Sequence, residues 1–96
     1  MKVITNTDLK KWKRKTDNRM HAFGDTDLEK KVIRVNKKKS QKIGKKNDGE
    51  VLDSIIHEVS HAKHPKMHEK TVRKHTKHLL KKLNPKQKQS YRSLFS

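Results

Sequence analysis

Cysteine is absent from this 96-residue chain, so disulfides and thiolate zinc sites are both excluded. A metal site built from it must draw on His, Asp or Glu, the donors of catalytic zinc more than of zinc fingers. Aromatic residues make up only 4%, too few for a dedicated platform on which single-stranded bases stack. Trp12 and Phe23 are therefore expected in the core. Negative charge is scarce, with ten Asp and Glu against 27 Lys and Arg for a net charge of +17. Long apolar runs are missing too. The stretch "MKVITNTDLKKWKRK" lacks the hydrophobic run of a signal peptide, and nothing approaches the roughly 20 apolar residues of a membrane span. A cytoplasmic protein without a membrane partner is expected. Leu, Ile, Val and Phe total 20 residues, at the border where a highly charged chain often fails to fold. One small domain, residues 1–96, fits that length. Its thin core buries little apolar area, and a bound metal is one way such a domain gains stability.

Lysine is what the chain has in abundance, outnumbering Arg 22 to 5. A charge of this size attracts polyanions, and nonspecific nucleic-acid binding through a Lys-rich surface would be strongly salt-dependent. The shortage of Arg, the usual choice for phosphate and base contacts, argues against sequence-specific recognition. The plainer reading is the solvated surface of a small monomer.

Along the chain, "KVIT" at 2–5 is expected as a strand, and "DLKKWKRK" at 8–15, capped by Thr7 or Asp8, as a short amphipathic helix with Leu9 and Trp12 inward. "MHAFGDTDLEKKVIRVN", 20–36, reads as a β-hairpin turning at "GDTD", 24–27. The basic stretch 37–49 reads as a solvated loop. From Glu50 the period changes. Val51, Leu52, Ile55, Ile56, Val59 and Ala62 mark a helix with one buried face. Asp48 is its expected cap, and Pro65 ends it near Lys63. A second helix, about 68 to 83, carries Val72, Thr76, Leu79, Leu80 and Leu83 on its buried stripe, and Asn84-Pro85 stops it. The tail 84–96 either docks through Tyr91, Leu94 and Phe95 or stays partly disordered.

The first of these helices carries "HEVSH", residues 57–61. His57 and His61 are i and i+4, so both rings leave one side of the helix a turn apart. Two imidazoles so placed can bind one Zn²⁺. Glu58 lies beside His57 and can reach a metal-bound water, the position a general base needs. This is the zincin HExxH signature. Open catalytic zinc takes a third protein ligand, and His64, His68 and Glu69 follow closely. Glu69 is preferred. If the chain reverses through "KHPKM", the start of the second helix returns alongside the metal, and two neutral imidazoles with one carboxylate leave a site of net charge +1. A helix amino terminus also suits a carboxylate. His68 and His64 are the alternatives. Asp53 is a candidate hydrogen-bond partner for His57. His75, His78 or Tyr91 are candidates to stabilise an oxyanion, although solvated side chains are the plainer description of each.

The stretch "LDSIIHEVSHAKHPKMHEKTVRKHTKHLLKKL", with the hairpin before it, resembles the core of minimal gluzincin-type metallopeptidases. The likeness covers roughly residues 20–83. It implies a zincin-like α+β fold, with a small antiparallel sheet packed on the active-site helix and a second, ligand-bearing helix behind. It also implies His57, His61 and Glu69 as zinc ligands, Glu58 as the base, and a protein or peptide substrate. The metzincin pattern is absent, since His64 and Met67 stand where that family needs Gly and His. SprT-like proteases, which cut proteins crosslinked to DNA, are a second resemblance, with a histidine as third ligand and a basic surface. A third reading is a basic nucleic-acid-binding protein whose zinc is structural.

Overall fold

The computed structural model describes residues 3–38 and 49–95. Among them the chain forms three short strands, β1 (Lys13–Thr16), β2 (Gly24–Asp27) and β3 (Val32–Val35). Three helices follow, α1 (Gly49–Lys63), α2 (Glu69–Lys82) and α3 (Pro85–Ser93). The fold is α+β, as expected. The sheet, however, is mixed, in the order β1-β3-β2. β2 pairs with β3 antiparallel, whereas β1 lies parallel to β3.

The difference comes from the amino-terminal third. The helix expected over 8–15 does not form. Leu9 N donates to Thr5 O and Asn6 O at 3.3 and 3.2 Å, and Trp12 N to Leu9 O at 2.9 Å. One tight turn thus buries Leu9 completely, with Trp12 packed against the core. No further apolar residue rewards a longer helix. The next residues instead satisfy the open edge of β3, where Lys13 N donates to Lys31 O at 2.9 Å and Asp17 N to Val35 O at 3.0 Å. Asp8 caps this turn and no helix, its Oδ2 accepting from Thr5 N at 2.9 Å. Residues 3–5, expected as a strand, are irregular, with Val3 and Ile4 against the core. From Thr16 the chain crosses the end of β3 to reach β2 on the far edge, two strand spacings or roughly 10 Å away. Buried Asn36 ties down this crossing, its amide donating to Met20 O at 2.8 Å and its backbone N to Phe23 O at 2.7 Å.

The hairpin exists, but its turn is displaced. "GDTD" is β2 itself, and the turn is Leu28–Lys31. Gly and Asp are poor strand formers, so tertiary contacts override their local preference. Arg34 holds Asp25 across the ladder with a bidentate ion pair, one arm being 2.7 Å from Nε to Oδ1. Asp27 starts the turn, its Oδ1 accepting from Glu29 N at 3.0 Å and Lys30 N at 2.9 Å, as short polar side chains do. Lys31 closes the turn at φ 55.

α1 begins and ends as its periodicity predicts. Its buried face of Val51, Leu52, Ile55, Ile56, Val59 and Ala62 meets Ile33 and Val35 of the sheet in one core. Each such aliphatic side chain contributes about 1.5–3 kcal/mol when fully buried. The expected cap Asp48, with most of the expected loop (39–48), lies outside the described residues, and the described ends of that loop are helical at Lys37, Lys38 and Gly49. α2 also matches expectation, burying Val72, Thr76 and Leu79. The tail is helical. Asn84 accepts from Gln87 N at 2.8 Å and Gln87 Oε1 accepts from Asn84 N at 3.0 Å, a reciprocal cap with Pro85 in the first turn. α3 and its end bring Tyr91, Leu94 and Phe95 into the core. Among the described residues, no helix is long and apolar enough to cross a membrane.

Candidate metal centre

His57 and His61 lie along the border of the buried face of α1, with side chains 16% and 22% exposed. Their rings meet edge-on with centroids 4.8 Å apart, and the two Nε2 atoms are 3.2 Å from one another. Beyond Lys63 the chain turns back. His64 N still donates to Ser60 O at 2.8 Å, and Met67 N closes a turn on His64 O at 3.0 Å. His68 is extended and Glu69 opens α2. The reversal returns the Glu69 carboxylate to the two rings, with Oε1 2.7 Å from His57 Nε2 and Oε2 2.7 Å from His61 Nε2. Burial works against this carboxylate, but the facing histidines outweigh it and hold its pKa below the usual range.

Protons alone satisfy this arrangement poorly. Each neutral imidazole can donate one N–H to Glu69, but two N–H groups then confront each other at 3.2 Å. A divalent cation held by His57, His61 and Glu69 would resolve the conflict by accepting one lone pair from each of the three groups. Two nitrogens each about 2.0–2.1 Å from a tetrahedral zinc lie about 3.3 Å apart, close to the separation found. One donor atom from each of His57, His61 and Glu69 falls within 4.8 Å of the others. The donor set and the spacing of the two nitrogens fit zinc, while the Glu69 oxygens stand at hydrogen-bond distance from the rings.

Glu58, the next residue along α1 after His57, packs against β2 and is only 7% exposed. Thr26 Oγ1 lies 2.9 Å from Glu58 Oε1 and 2.8 Å from Glu58 O, a donor shared between side chain and backbone. Burial, the largest influence, pushes the Glu58 carboxyl above its usual pKa, against the Thr26 hydrogen bond and the nearby histidines. The close approach of β2 depends on Gly24. A Cβ there would lie 2.8 Å from Arg34 O and 2.9 Å from Glu58 Cγ. Glu58 and His57 both open onto two depressions beside Glu69, so the acid is buried yet reachable.

The other expected residues fall as follows. His64 turns to His75, ring centroids 6.1 Å apart, and His68 is exposed at the start of α2. Neither belongs to the cluster. Asp53 lines the larger cleft with His57 and Glu58, and burial raises its pKa against the pull of His57. Tyr91 is distant from any oxyanion role, being buried with its hydroxyl accepting from Ile4 N at 3.4 Å. His75 is partly buried and His78 exposed on α2. Phe23, expected in the core, is 41% exposed and lines the cleft, because the crossing to β2 carries it to the sheet's edge. Sequence reasoning missed Gly24 and Thr26, since "GDTD" taken as a turn places them away from the helix. It also missed Arg73, whose Nε is 3.5 Å from Glu69 Oε1. The i, i+4 spacing from Glu69 was the signal for it. No protein-family model, curated protein or solved structure matches the chain.

Proposed function

We propose that the protein is a zinc-dependent metallopeptidase, with His57, His61 and Glu69 holding the metal and Glu58 acting as general base. The observation that carries this reading is the convergence of two imidazole nitrogens and a carboxylate from a second helix, 2.7–3.2 Å apart, beside a buried carboxylate that is not part of the cluster. Zinc in such a site lowers the pKa of water to about 7 and polarises a carbonyl. Glu58 then takes the water proton as the oxygen attacks the peptide carbonyl, and later delivers it to the leaving amine. Its burial suits both steps, because a raised pKa brings a carboxylate nearer the working pH of an acid–base catalyst. Thr26 fixes one carboxylate oxygen and leaves the other for the proton. The resemblance to minimal gluzincins supports the same assignment.

Glu58→Gln tests the reading. The variant retains zinc, measured by metal analysis, and loses peptide cleavage by at least about 100-fold. Cleavage at the original rate would reject Glu58 as the base. A second reading is favoured by the net charge of +17: the same site works on proteins bound to nucleic acid. It requires duplex or single-stranded DNA binding that weakens steeply between about 50 and 200 mM salt.

A further inference from the structure

The larger of the two depressions lined by His57 and Glu58 has a volume of about 400 Å³ and two unlike walls. One wall holds the exposed ring of Phe23, beside the start of β2. The other is a stripe on α2. Glu69, Arg73 and Lys77 stand at i, i+4 and i+8, so they share one helix face. At about 1.5 Å per residue, Arg73 lies roughly 6 Å and Lys77 roughly 12 Å along the axis from the metal ligand. Both side chains are exposed, that of Arg73 by 71%. Arg73 is only loosely engaged, 3.5 Å from Glu69 Oε1, while Glu69 points both oxygens at the histidines. The cleft also holds one acid outside the ligand set and the base, Asp53, which stands near enough to Lys77 to feel its charge. One carboxylate thus faces two cations, and the wall keeps a positive excess. The neighbouring depression, which shares Gly24, His57, Glu58 and Glu69, is different, being lined also by Leu28 and by Asp25, whose charge Arg34 already neutralises.

We propose that the wall formed by Arg73 and Lys77 is a subsite for an acidic side chain of the peptide substrate. The inference rests on the peptidase reading for the word substrate, but the binding it describes does not need catalysis. An extended peptide advances about 3.3 Å per residue. A side chain two to four residues from the bond at the metal therefore reaches the stretch between Arg73 and Lys77. Phe23, opposite, gives the intervening residues an apolar surface.

The test is a selection of a randomised decapeptide library on zinc-loaded Glu58→Gln protein, followed by sequencing. Three backgrounds are compared: no further change, Arg73→Gln/Lys77→Gln, and Lys86→Gln/Lys88→Gln on α3. The two double variants lose the same charge. A subsite enriches Asp and Glu at one position about tenfold over neighbouring positions. That peak vanishes in Arg73→Gln/Lys77→Gln and persists in Lys86→Gln/Lys88→Gln. Acid enrichment spread evenly along the peptide, equal in all three backgrounds, would overturn the proposal and assign the effect to bulk charge. Absence of any acid preference would overturn it too. Failure of the peptidase reading shows separately, as loss of zinc or of wild-type cleavage, and the selection still reports on Arg73 and Lys77.

Discussion

Zinc should stabilise the folded protein, and the amount can be worked out. A domain of 96 residues has a total stability of about 5–14 kcal/mol at 0.05–0.15 kcal/mol per residue. A ligand that binds only the folded state adds about 2.7 kcal/mol at 100 times its Kd. For a chain of this length each kcal/mol moves Tm by about 4–8 °C, so zinc at that excess raises Tm by about 11–22 °C. The contacts already present contribute far less without metal. Glu69 is 52% exposed, and exposed ion pairs are worth about 0–1 kcal/mol. Glu69→Gln should therefore change the Tm of the chelator-treated protein by no more than about 4–8 °C, while removing most of the zinc-induced rise. Differential scanning fluorimetry, with and without EDTA and over a zinc titration, measures both effects. His64→Ala/His75→Ala controls for zinc held at the other histidine pair, and it should keep the rise. A Tm that ignores zinc, or a full rise surviving in Glu69→Gln, would refute the ligand assignment.

Gly24→Ala should destabilise the fold by about 1–3 kcal/mol, since its Cβ would lie within 3 Å of Arg34 O and Glu58 Cγ; urea denaturation reads the loss, and an unchanged midpoint would contradict the packing of β2 on α1. Lys31→Gly should stabilise by about 1 kcal/mol, because a positive φ of 55 strains a lysine and suits glycine, and the same assay shows it. Burial raises the Tyr91 pKa above its usual 10, so the neutral phenol is favoured in the folded state. Its contribution is fully present below pH 10 and declines as pH climbs through the raised value. Stability measured from pH 8 to 11 should therefore fall more for the wild type than for Tyr91→Phe, with parallel curves counting against the burial argument.

The helical half was legible because its signals are local and redundant. The apolar spacing from Val51 to Ala62, the Pro65 break and the Asn84-Pro85 stop each fix one boundary. HExxH names its own geometry once it lies on a helix. The reach of Glu69 followed from charge and from a short reversal. Of the amino-terminal half, β3 was legible from Val32, Ile33 and Val35, but its two partner strands were not, for a physical reason. β1 is "KRKT" and β2 is "GDTD", sequences without strand character, and both are extended only because β3 offers them backbone partners. Register set by a partner leaves little trace in the partnered segment. Asn84 with Gln87 was a readable helix start, hidden by its second meaning as a stop.

Glu69 comes eight positions after His61, just beyond a five-residue connector between neighbouring helices, whereas the partners of Glu58 are Gly24 and Thr26, more than thirty positions upstream. The proposed zinc could therefore assemble its cage from nearby chain, at low loop-closure cost, before the sheet has docked. Glu58, the proposed base, acquires its burial and its fixed oxygen only when the distant strand arrives. A metal-loaded but half-folded molecule would thus be harmless, armed only on completion. Pulsed hydrogen exchange during refolding with zinc would show α1 and α2 amides protected ahead of those of β2; simultaneous protection would dismiss that order.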